Sequence, residues 1–375
     1  MVYLHVPFCR SFCTYCDFYS EIACRGQDAQ LLEAYTQAVC DEASRRRGEI
    51  DATRDLNTLY IGGGTPSVLP LSLLQKLAAA ALMTGGIPPE PFTEFTVEVN
   101  PADIVEKGEA YVRGLLALGV NRVSMGVQSL DDGLLRWMNR RHDAEHARQA
   151  FRILREAGVG NISVDVIFGI PQQSEEVLVQ TVSELIHWRP EHISAYQLSV
   201  EEGSALGRLA REGRFRPACQ EHCAAQYACL CRMLHEAGYV HYEISNWALP
   251  GHEAVHNSAY WTRHPYVGLG PAAHSFDGRT RSWNPEIPAF AGMGTSSPSG
   301  LDPESLRETL SEEEAREEEI FLGLRTAQGV PEAWISSAVA GGMLADGRLV
   351  RLPGGRLRIP EDRWFVSDDI LADLI

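Results

Sequence analysis

The stretch Tyr3-Leu4-His5-Val6-Pro7-Phe8-Cys9, continued by the spacing Cys9-x3-Cys13-x2-Cys16, decides how this sequence is interpreted. Residues 2–6 form a short apolar run rich in β-branched residues, which is typical of a buried strand. Three of the nine cysteines then follow within one short loop. Three thiolates on such a loop can hold three irons of a cubane cluster and leave the fourth iron open to a small ligand.

Two simpler roles for these cysteines stay open. A zinc site would need a fourth ligand, for which His5 is a poor candidate. Reduced core cysteines rarely cluster on one loop, and the other six cysteines are scattered or helical. Aromatic residues of the loop would exclude water from an iron–sulfur cluster; they are Phe8, Phe12, Tyr15 and Phe18. The pattern therefore favours iron–sulfur chemistry.

Outward from this loop, six apolar runs recur along the chain, and a helical stretch follows each of them. They span residues 2–6, 56–61, 95–99, 122–127, 162–168 and 192–198. Strands that alternate with helices predict a parallel sheet. Polar residues stand late in these runs or directly after them, so they would converge on one mouth, as in barrel enzymes. We therefore predict an α/β fold with a partial (β/α)6 barrel that is open on one side.

The pattern changes after residue 214. A long helix is predicted over 219–237, and a segment dense in aromatic residues and histidines follows over 239–276. Ser311-x-x-Glu314 has the spacing of a capping box, opening a helix that runs to about residue 324. A helix at 331–340 and two strands at 348–352 and 356–359 are typical of a small winged-helix unit. The predicted domains are 1–214, the partial barrel; 215–283, a C-terminal segment; 284–310, a linker; and 311–375, the winged-helix-like end of an α+β module.

The charge balance narrows the classes of partner. The chain of 375 residues has 33 Lys and Arg against 50 Asp and Glu, which is a formal net charge of −17. Such an excess of negative charge repels phosphate backbones, so no nucleic-acid partner is expected. No apolar run approaches the roughly 18 to 20 residues that cross a bilayer, and the first residues lack the features of a signal peptide. We expect a cytoplasmic protein with at most peripheral membrane contact.

Several motifs together resemble the radical S-adenosylmethionine (SAM) superfamily, in its oxygen-independent coproporphyrinogen oxidase-like branch. Besides the cysteine loop they are Gly62-Gly63-Gly64-Thr65-Pro66, Glu98-x-Asn100-Pro101, Gly126-Val127-Gln128-Ser129, Asp165-x3-Gly169-x-Pro171 and Gly268-x-Gly270-Pro271. The resemblance implies a [4Fe–4S] cluster on Cys9, Cys13 and Cys16, whose open iron chelates SAM. It also implies further SAM contacts, which are Tyr3, Tyr15, Gly63, Gly64, Thr65, Glu98, Gln128, Arg140 and Asp165.

Some of these residues also make sense from their chemistry. Residues 62–64 allow a ligand close to the backbone and would offer N–H groups at the start of a helix, although a tight turn needs glycines too. Glu98 has a carboxylate suited to binding hydroxyls. Asp165 stands among apolar strand residues, where an unpaired carboxylate would be costly, so we expect it to have a partner. For Arg140 the alternative is an exposed helix residue.

Two features separate this chain from the coproporphyrinogen oxidases proper. Resemblance to those enzymes would require a fourth cysteine two residues after the third, where this chain has Phe18. The Cys16-Asp17-Phe18 ending is instead similar to the HemW-type haem chaperones. So is His256-Asn257-x2-Tyr260-Trp261, which matches a motif associated with haem in that group. The resemblance implies that His256 is a haem ligand; a buried histidine with satisfied nitrogens is the alternative.

The resemblance further implies a protein that binds SAM and haem and delivers haem to respiratory proteins. The alternative is an enzyme, a coproporphyrinogen III dehydrogenase that oxidatively decarboxylates propionates to vinyl groups in porphyrin biosynthesis. Electron transfer alone, a third class, would not need the SAM contacts. The chaperone is favoured over the enzyme, and the oligomeric state stays open.

Two other patterns point to metals. His252-Glu253-x2-His256 has the spacing of zinc metalloproteases, but Pro250-Gly251 directly before it does not extend a helix. Four further cysteines lie on or near one predicted helix, where apolar packing is favoured over a second metal site; they are Cys219, Cys223, Cys229 and Cys231.

Overall fold

The computed structural model describes residues 1–22, 28–82, 91–286 and 306–374. The first elements are β1 (Val2–Val6), β2 (Phe8–Cys9), β3 (Glu21–Ile22), α1 (Asp28–Arg45), α2 (Arg47–Ala52), β4 (Thr58–Gly63), α3 (Leu71–Leu82), β5 (Glu94–Val99), α4 (Pro101–Ala117), β6 (Arg122–Gln128), α5 (Asp132–Trp137), α6 (Ala144–Ala157), β7 (Ile162–Phe168), α7 (Glu175–Trp188), β8 (His192–Gln197) and α8 (Ala205–Arg211). The later elements are α9 (Gln220–Glu236), β9 (Val240–Glu243), β10 (Asn246–Ala248), α10 (Val255–Trp261), β11 (Val267–Leu269), β12 (His274–Phe276), β13 (Thr280–Trp283), β14 (Arg307–Thr309), α11 (Glu312–Leu324), β15 (Val330–Pro331), α12 (Ser337–Ala345), β16 (Val350–Leu352), β17 (Arg356–Arg358) and α13 (Ser367–Ala372).

The predicted α/β fold is confirmed. All six predicted strands form, with ends that shift by one or two residues, and they lie side by side in the order β1-β4-β5-β6-β7-β8. Each neighbouring pair is parallel. The two outermost strands of the complete sheet, β11 and β9, are at opposite edges. The six strands therefore form the parallel sheet that the sequence predicts for a partial barrel.

The two faces of this sheet have different chemistry. Successive side chains of a strand point to opposite faces, and one set of strand residues, including Val97, Met125 and Val164, is fully buried in the apolar core. The alternate positions include Glu98 and Asp165, which line a cavity. The apolar face packs against the helices, while the other face provides the polar side chains of the site.

Three further strands of the same sheet come from residues 215–283. Strand β11 pairs parallel with β1, and β10 joins β8 and β9 in antiparallel pairs. The predicted long helix is confirmed as α9. Because these strands extend the sheet at both edges, the sequence segment that follows the barrel is structurally continuous with it. The predicted domain boundaries stay predictions.

The last part of the chain is partly as predicted. Ser311 begins α11 with a complete capping box, in which its side chain and that of Glu314 bond each other's backbone N–H. Strands β15, β17 and β16 form a small sheet. The helix predicted at 331–340 is wrong in its bounds, because a 3₁₀ turn at Glu332–Trp334 precedes α12.

The predicted linker, 284–310, is described only at its two ends, since residues 287–305 lie outside the described part of the chain. Its last residues form β14, which pairs with β13. In the described residues, no helix has both the length and the apolar character needed to cross a membrane.

Candidate functional site

A cavity of about 660 Å³ opens where the parallel strands end. The cysteine loop forms one wall, and the residues that end or follow β4, β5, β6 and β8 form the others. Eleven of the sequence-predicted site residues line it, namely Cys9, Cys13, Cys16, Tyr15, Gly63, Gly64, Thr65, Glu98, Gln128, Arg140 and Asp165. The carboxyl ends of the strands therefore converge as expected.

Neighbouring elements hold the cysteine loop in place. The N–H of Thr14 donates to Met138 O at 3.1 Å, and its C=O accepts from the N–H of Leu206 at 2.9 Å. The side-chain amide of Asn139 donates to Phe12 O at 2.7 Å. Because these partners lie at the end of α5 and the start of α8, distant parts of the chain fix the position of the thiols.

The three cysteines of the loop have the donor chemistry that an iron–sulfur cluster needs. All three are free thiols on one cavity wall. The Arg140 guanidinium donates to Cys13 Sγ at 3.4 Å, which stabilises a thiolate. Among the described residues, no group of three or more His, Cys, Asp or Glu side chains is close enough to hold one metal ion. Three thiols on one short loop, one of them beside a cation, fit the ligands of a cubane cluster.

The glycines after β4 are needed for close packing. Gly63 has a φ of +109°, which favours glycine. A Cβ on Gly63 would lie 2.6 Å from the His5 ring, and one on Gly64 would lie 2.8 Å from the carbonyl oxygen of Phe8. Thr65 Oγ1 lies 3.4 Å from Cys9 Sγ. These glycines let β4 and the cysteine loop approach each other.

The expected role of the glycine N–H groups is wrong for two of them. The N–H of Gly63 donates to Glu98 Oε2 at 3.2 Å, and that of Gly64 donates to Val6 O at 2.8 Å. The chain then enters a 3₁₀ turn at Pro66–Val68 before α3 begins. Both N–H groups therefore have acceptors within the protein, and the contact of these glycines with SAM stays a prediction.

Glu98 lies between the glycines and the cavity. Its Oε1 accepts from the Tyr60 hydroxyl at 2.7 Å, and its Oε2 accepts from the N–H of Gly63. Burial raises the pKa of Glu98 to about 7. Two donors thus orient the carboxylate, and its pKa lies near neutral pH.

Asp165 has the partners that the sequence predicts. Burial raises its pKa to about 6, while the charge of Arg122 and hydrogen bonds from Ser194 and Ser124 oppose that rise. The serines are on the strands that flank β7 on either side. Hydrogen bonds from both neighbouring strands therefore stabilise the buried Asp165 carboxylate.

Arg140 and Gln128 both line the cavity, and Gln128 has an unusual backbone conformation. Arg140 follows α5, and its second guanidinium nitrogen donates to Gly126 O at 2.8 Å. It is therefore not the exposed helix residue of the alternative. Gln128 has a φ of +66°, and the pairing of β6 with β7 shifts register between Gly126 and Gln128. This irregularity accompanies the placement of the amide in the cavity wall.

The two predicted tyrosines differ in position. Tyr15 lines the cavity, and burial raises its pKa. Tyr3 does not line the cavity; its hydroxyl lies 3.0 Å from His5 Nδ1, and Tyr60 stands next to it, with ring centroids 6.1 Å apart. A direct contact of Tyr3 with SAM stays a prediction, whereas its neighbour Tyr60 lines the cavity.

The structure does not bring His256 into the cavity. Its side chain is fully buried, Nδ1 lies 2.8 Å from Thr58 Oγ1, and Nε2 lies 3.0 Å from the Tyr260 hydroxyl. Burial lowers the pKa of His256 to about 3. Both ring nitrogens are engaged, so the arrangement is that of the satisfied buried histidine. A histidine among aromatic residues carries the same sequence signal in either role.

The zinc-protease spacing does not form a helical pair of ligands. His252 precedes α10, whereas His256 is within it. On α9, Cys223 and Cys229 are buried while Cys219 is exposed. Neither set converges on an ion within the described residues.

Sequence reasoning missed several cavity residues. Arg122, Ser194 and Tyr196 line the cavity from the strands, and Asn257 lines it from α10. The signal for Arg122 was its charge at the beginning of an apolar strand. Asn257 belongs to the motif that was associated with haem, but the sequence does not say which member faces a ligand.

The fold and the cysteine-lined cavity are those of a radical SAM protein, and the Radical SAM superfamily model matches residues 3–185. Curated proteins named Heme chaperone HemW are similar: the one from Bacillus subtilis is 35% identical, covering 88% of this chain and 84% of its own. The one from Mycobacterium tuberculosis H37Rv is 33% identical, covering 100% and 94%. This chain belongs to the HemW family of the radical SAM superfamily.

A solved structure agrees with this fold. The coproporphyrinogen III oxidase HemN from Escherichia coli, described as a radical SAM enzyme, superposes with a TM-score of 0.76. The two chains are 18% identical, and the match covers 100% of this chain and 89% of the other. At this identity the match concerns the fold alone.

Proposed function

We propose that this protein is a haem chaperone that binds SAM beside a [4Fe–4S] cluster and delivers haem to respiratory proteins. The observation that carries the proposal is Phe18. It occupies the position at which the sequence departs from the coproporphyrinogen oxidases, and it is 73% exposed in the wall of the cavity. Phe18 has no donor atom that could ligate a cluster. An exposed phenylalanine is suited to contact with a large apolar ligand.

The residues around the cavity fit the cluster and SAM. Cys9, Cys13 and Cys16 would hold three irons, and Arg140 would stabilise the thiolate of Cys13. The chemistry that a reduced cluster and SAM supply together in this superfamily is one-electron cleavage of a carbon–sulfur bond. Glu98, which Tyr60 and the Gly63 backbone orient, would accept hydrogen bonds from ribose hydroxyls.

Haem would lie on the rim of the same cavity. Phe12 and Tyr196 are 47% and 42% exposed, and both line the cavity together with Phe18. A porphyrin has two flat apolar faces, so stacking on such side chains buries apolar area on both partners. Ligation by His256 would require that the histidine first lose its bonds to Thr58 and Tyr260.

A haem titration followed by the Soret band tests this placement. In the double variant Phe12→Ser, Phe18→Ser we expect haem affinity to fall about tenfold or more, because each ring contributes roughly 1 kcal/mol of apolar contact. Val366→Ser is the matched control, since Val366 is a 44% exposed apolar residue that does not line the cavity. Unchanged binding in the double variant, with loss in a folded His256→Gln variant, would place haem at His256 instead.

The enzymatic alternative has its own readout. Reconstituted protein incubated anaerobically with SAM, a reductant and coproporphyrinogen III is expected to form no protoporphyrinogen. Steady formation of that product would show that the protein is a dehydrogenase and would refute the chaperone proposal. A cytoplasmic location is part of the proposal, since the described cysteines are all free thiols and reduced thiols are the rule in that compartment.

A further inference from the structure

Arg122 is a buried, charged residue that has no assigned role in the site described above. It is the first residue of β6, and its side chain is 2% exposed. It lines the cavity, while its Nε is buried without a hydrogen-bond partner among the described residues. An unneutralised guanidinium is costly inside a protein, so the surroundings must supply negative charge.

The negative charge comes from the two strands beside Arg122. Strand β5 carries Glu98 and strand β7 carries Asp165, and both carboxylates line the same cavity. Asp165 is attracted to Arg122 by charge, whereas its hydrogen bonds go to serines. Glu98 is likewise attracted by charge, whereas its hydrogen bonds come from Tyr60 and Gly63. Arg122 therefore shares the cavity with one acid from each neighbouring strand, and among the described residues neither acid forms an ion pair with it.

We propose that Arg122 is a positioning residue for SAM binding, the counter-charge that keeps Glu98 and Asp165 ionised so that the cavity attracts a sulfonium cation. Arg140 is committed to Cys13, and two other arginines that line the cavity have acids outside it, Arg10 with Glu106 and Arg141 with Asp103. Arg122 is therefore the guanidinium on the strands beside Glu98 and Asp165. The inference rests on the proposed binding of SAM in this cavity.

Other titratable groups stand around Arg122. Burial lowers the pKa of His256 to about 3 and that of His192 well below its usual range. Burial raises the pKa of each nearby tyrosine, and these tyrosines are Tyr60, Tyr196 and Tyr242. Glu94, at the start of β5, accepts from two N–H groups of α10. Glu243, next to Tyr242, has a pKa that burial raises to about 7, so a pH dependence of SAM binding near pH 6–7 that persists in Glu243→Gln is expected to report on Glu98 and Asp165.

The test is the pH profile of SAM affinity in anaerobically reconstituted protein, with Arg122→Met, Arg122→Lys and the wild type. Loss of an opposite charge raises a carboxyl pKa by roughly one unit. At about pH 6, Asp165 would then be ionised to about one tenth instead of one half, and the ionised fraction of Glu98 would fall as well, so Arg122→Met is expected to bind SAM at least about fivefold more weakly. At about pH 8.5 the same variant is expected to bind at least as tightly as the wild type, because one positive charge no longer repels the sulfonium.

Two comparisons make the result specific. Arg122→Lys keeps the charge and is expected to keep the wild-type midpoint. S-adenosylhomocysteine, a neutral thioether, is expected to show a weaker dependence on pH. An Arg122→Met variant that binds more weakly by the same factor at every pH would show a merely structural role and overturn the inference.

A second measurement does not depend on SAM. Infrared difference spectra report protonated carboxyl groups directly, and the band assigned by Asp165→Asn is expected to appear at higher pH in Arg122→Met than in the wild type. An unshifted band would overturn the inference even if Arg122→Met could not be loaded with a cluster. If the wild type fails to bind SAM while this band shifts, the proposed SAM site fails and the role of Arg122 as counter-charge stands.

Discussion

Replacing Gly63 by alanine is expected to destabilise the chain at the junction of β4 and the cysteine loop. Gly63 has a φ of +109°, a conformation that costs an L-residue about 1–2 kcal/mol. A Cβ there would stand 2.6 Å from two atoms of the His5 ring. That ring is 5% exposed and is held by Tyr3 and by the carbonyl oxygen of Tyr19, so it cannot move without losing both partners.

The clash adds to the backbone cost. Overpacking of a buried site typically costs about 1–3 kcal/mol, so Gly63→Ala is expected to lower the free energy of unfolding by about 2–5 kcal/mol. Urea unfolding followed by circular dichroism measures this difference. Because Gly63 N–H also binds Glu98, the same variant is expected to weaken SAM binding after reconstitution.

Gly48→Ala is the matched control. Gly48 is an exposed residue of α2, and a Cβ there would meet no atom within 4 Å. Alanine is the better helix former, so this substitution is expected to be neutral or to stabilise by up to about 1 kcal/mol. A loss below about 1 kcal/mol in Gly63→Ala, or an equal loss in both variants, would refute the argument from φ and close approach.

Two further predictions concern other parts of the chain. Ser311→Ala removes the capping box with Glu314 at the start of α11 and is expected to lower the free energy of unfolding by about 1 kcal/mol; no change in urea unfolding would contradict it. Burial raises the pKa of Glu243 to about 7, above its usual range, so the stability it contributes is full below about pH 4.5 and is lost as the pH rises through 7. Glu243→Gln is therefore expected to gain stability relative to the wild type between about pH 5 and pH 8, and unfolding curves that keep a constant offset at every pH would argue against it.

The sequence predicted the strands well because their signal is local. Apolar, β-branched runs and the helices between them place six strands to within one or two residues. The capping box at Ser311 was predicted for the same reason, since both partners are three residues apart. The helix at 331–340 was misplaced because Pro331 is compatible with a 3₁₀ turn as well as with a helix start. Strand β11 escaped notice, since three residues carry little pattern of their own.

In the site, too, features with a local sequence signal were predicted and features set by distant residues were not. The cysteine spacing predicts its chemistry from three residues within a stretch of eight, and the structure places the glycine, glutamate and aspartate motifs around one cavity. The resemblance implies a haem-ligand role for His256 and leaves a satisfied buried histidine as the alternative; both ring nitrogens have partners, Thr58 and Tyr260, and such burial leaves no trace in a single sequence. Arg122 was overlooked, since a charge at the beginning of an apolar strand does not by itself show whether it lies in solvent or in a cavity.

By itself, the sequence determined which chemical groups this protein has and in what order the strands present them, because spacing along the chain and the period of a strand are properties of the chain alone. The tertiary structure decided which of those groups share a cavity. Arg122 reaches the acids of two neighbouring strands, and Asn257 reaches the cavity from a helix more than one hundred residues later. Such neighbours are set by strand order and packing, which bring together residues whose separation along the chain says nothing about their distance in space.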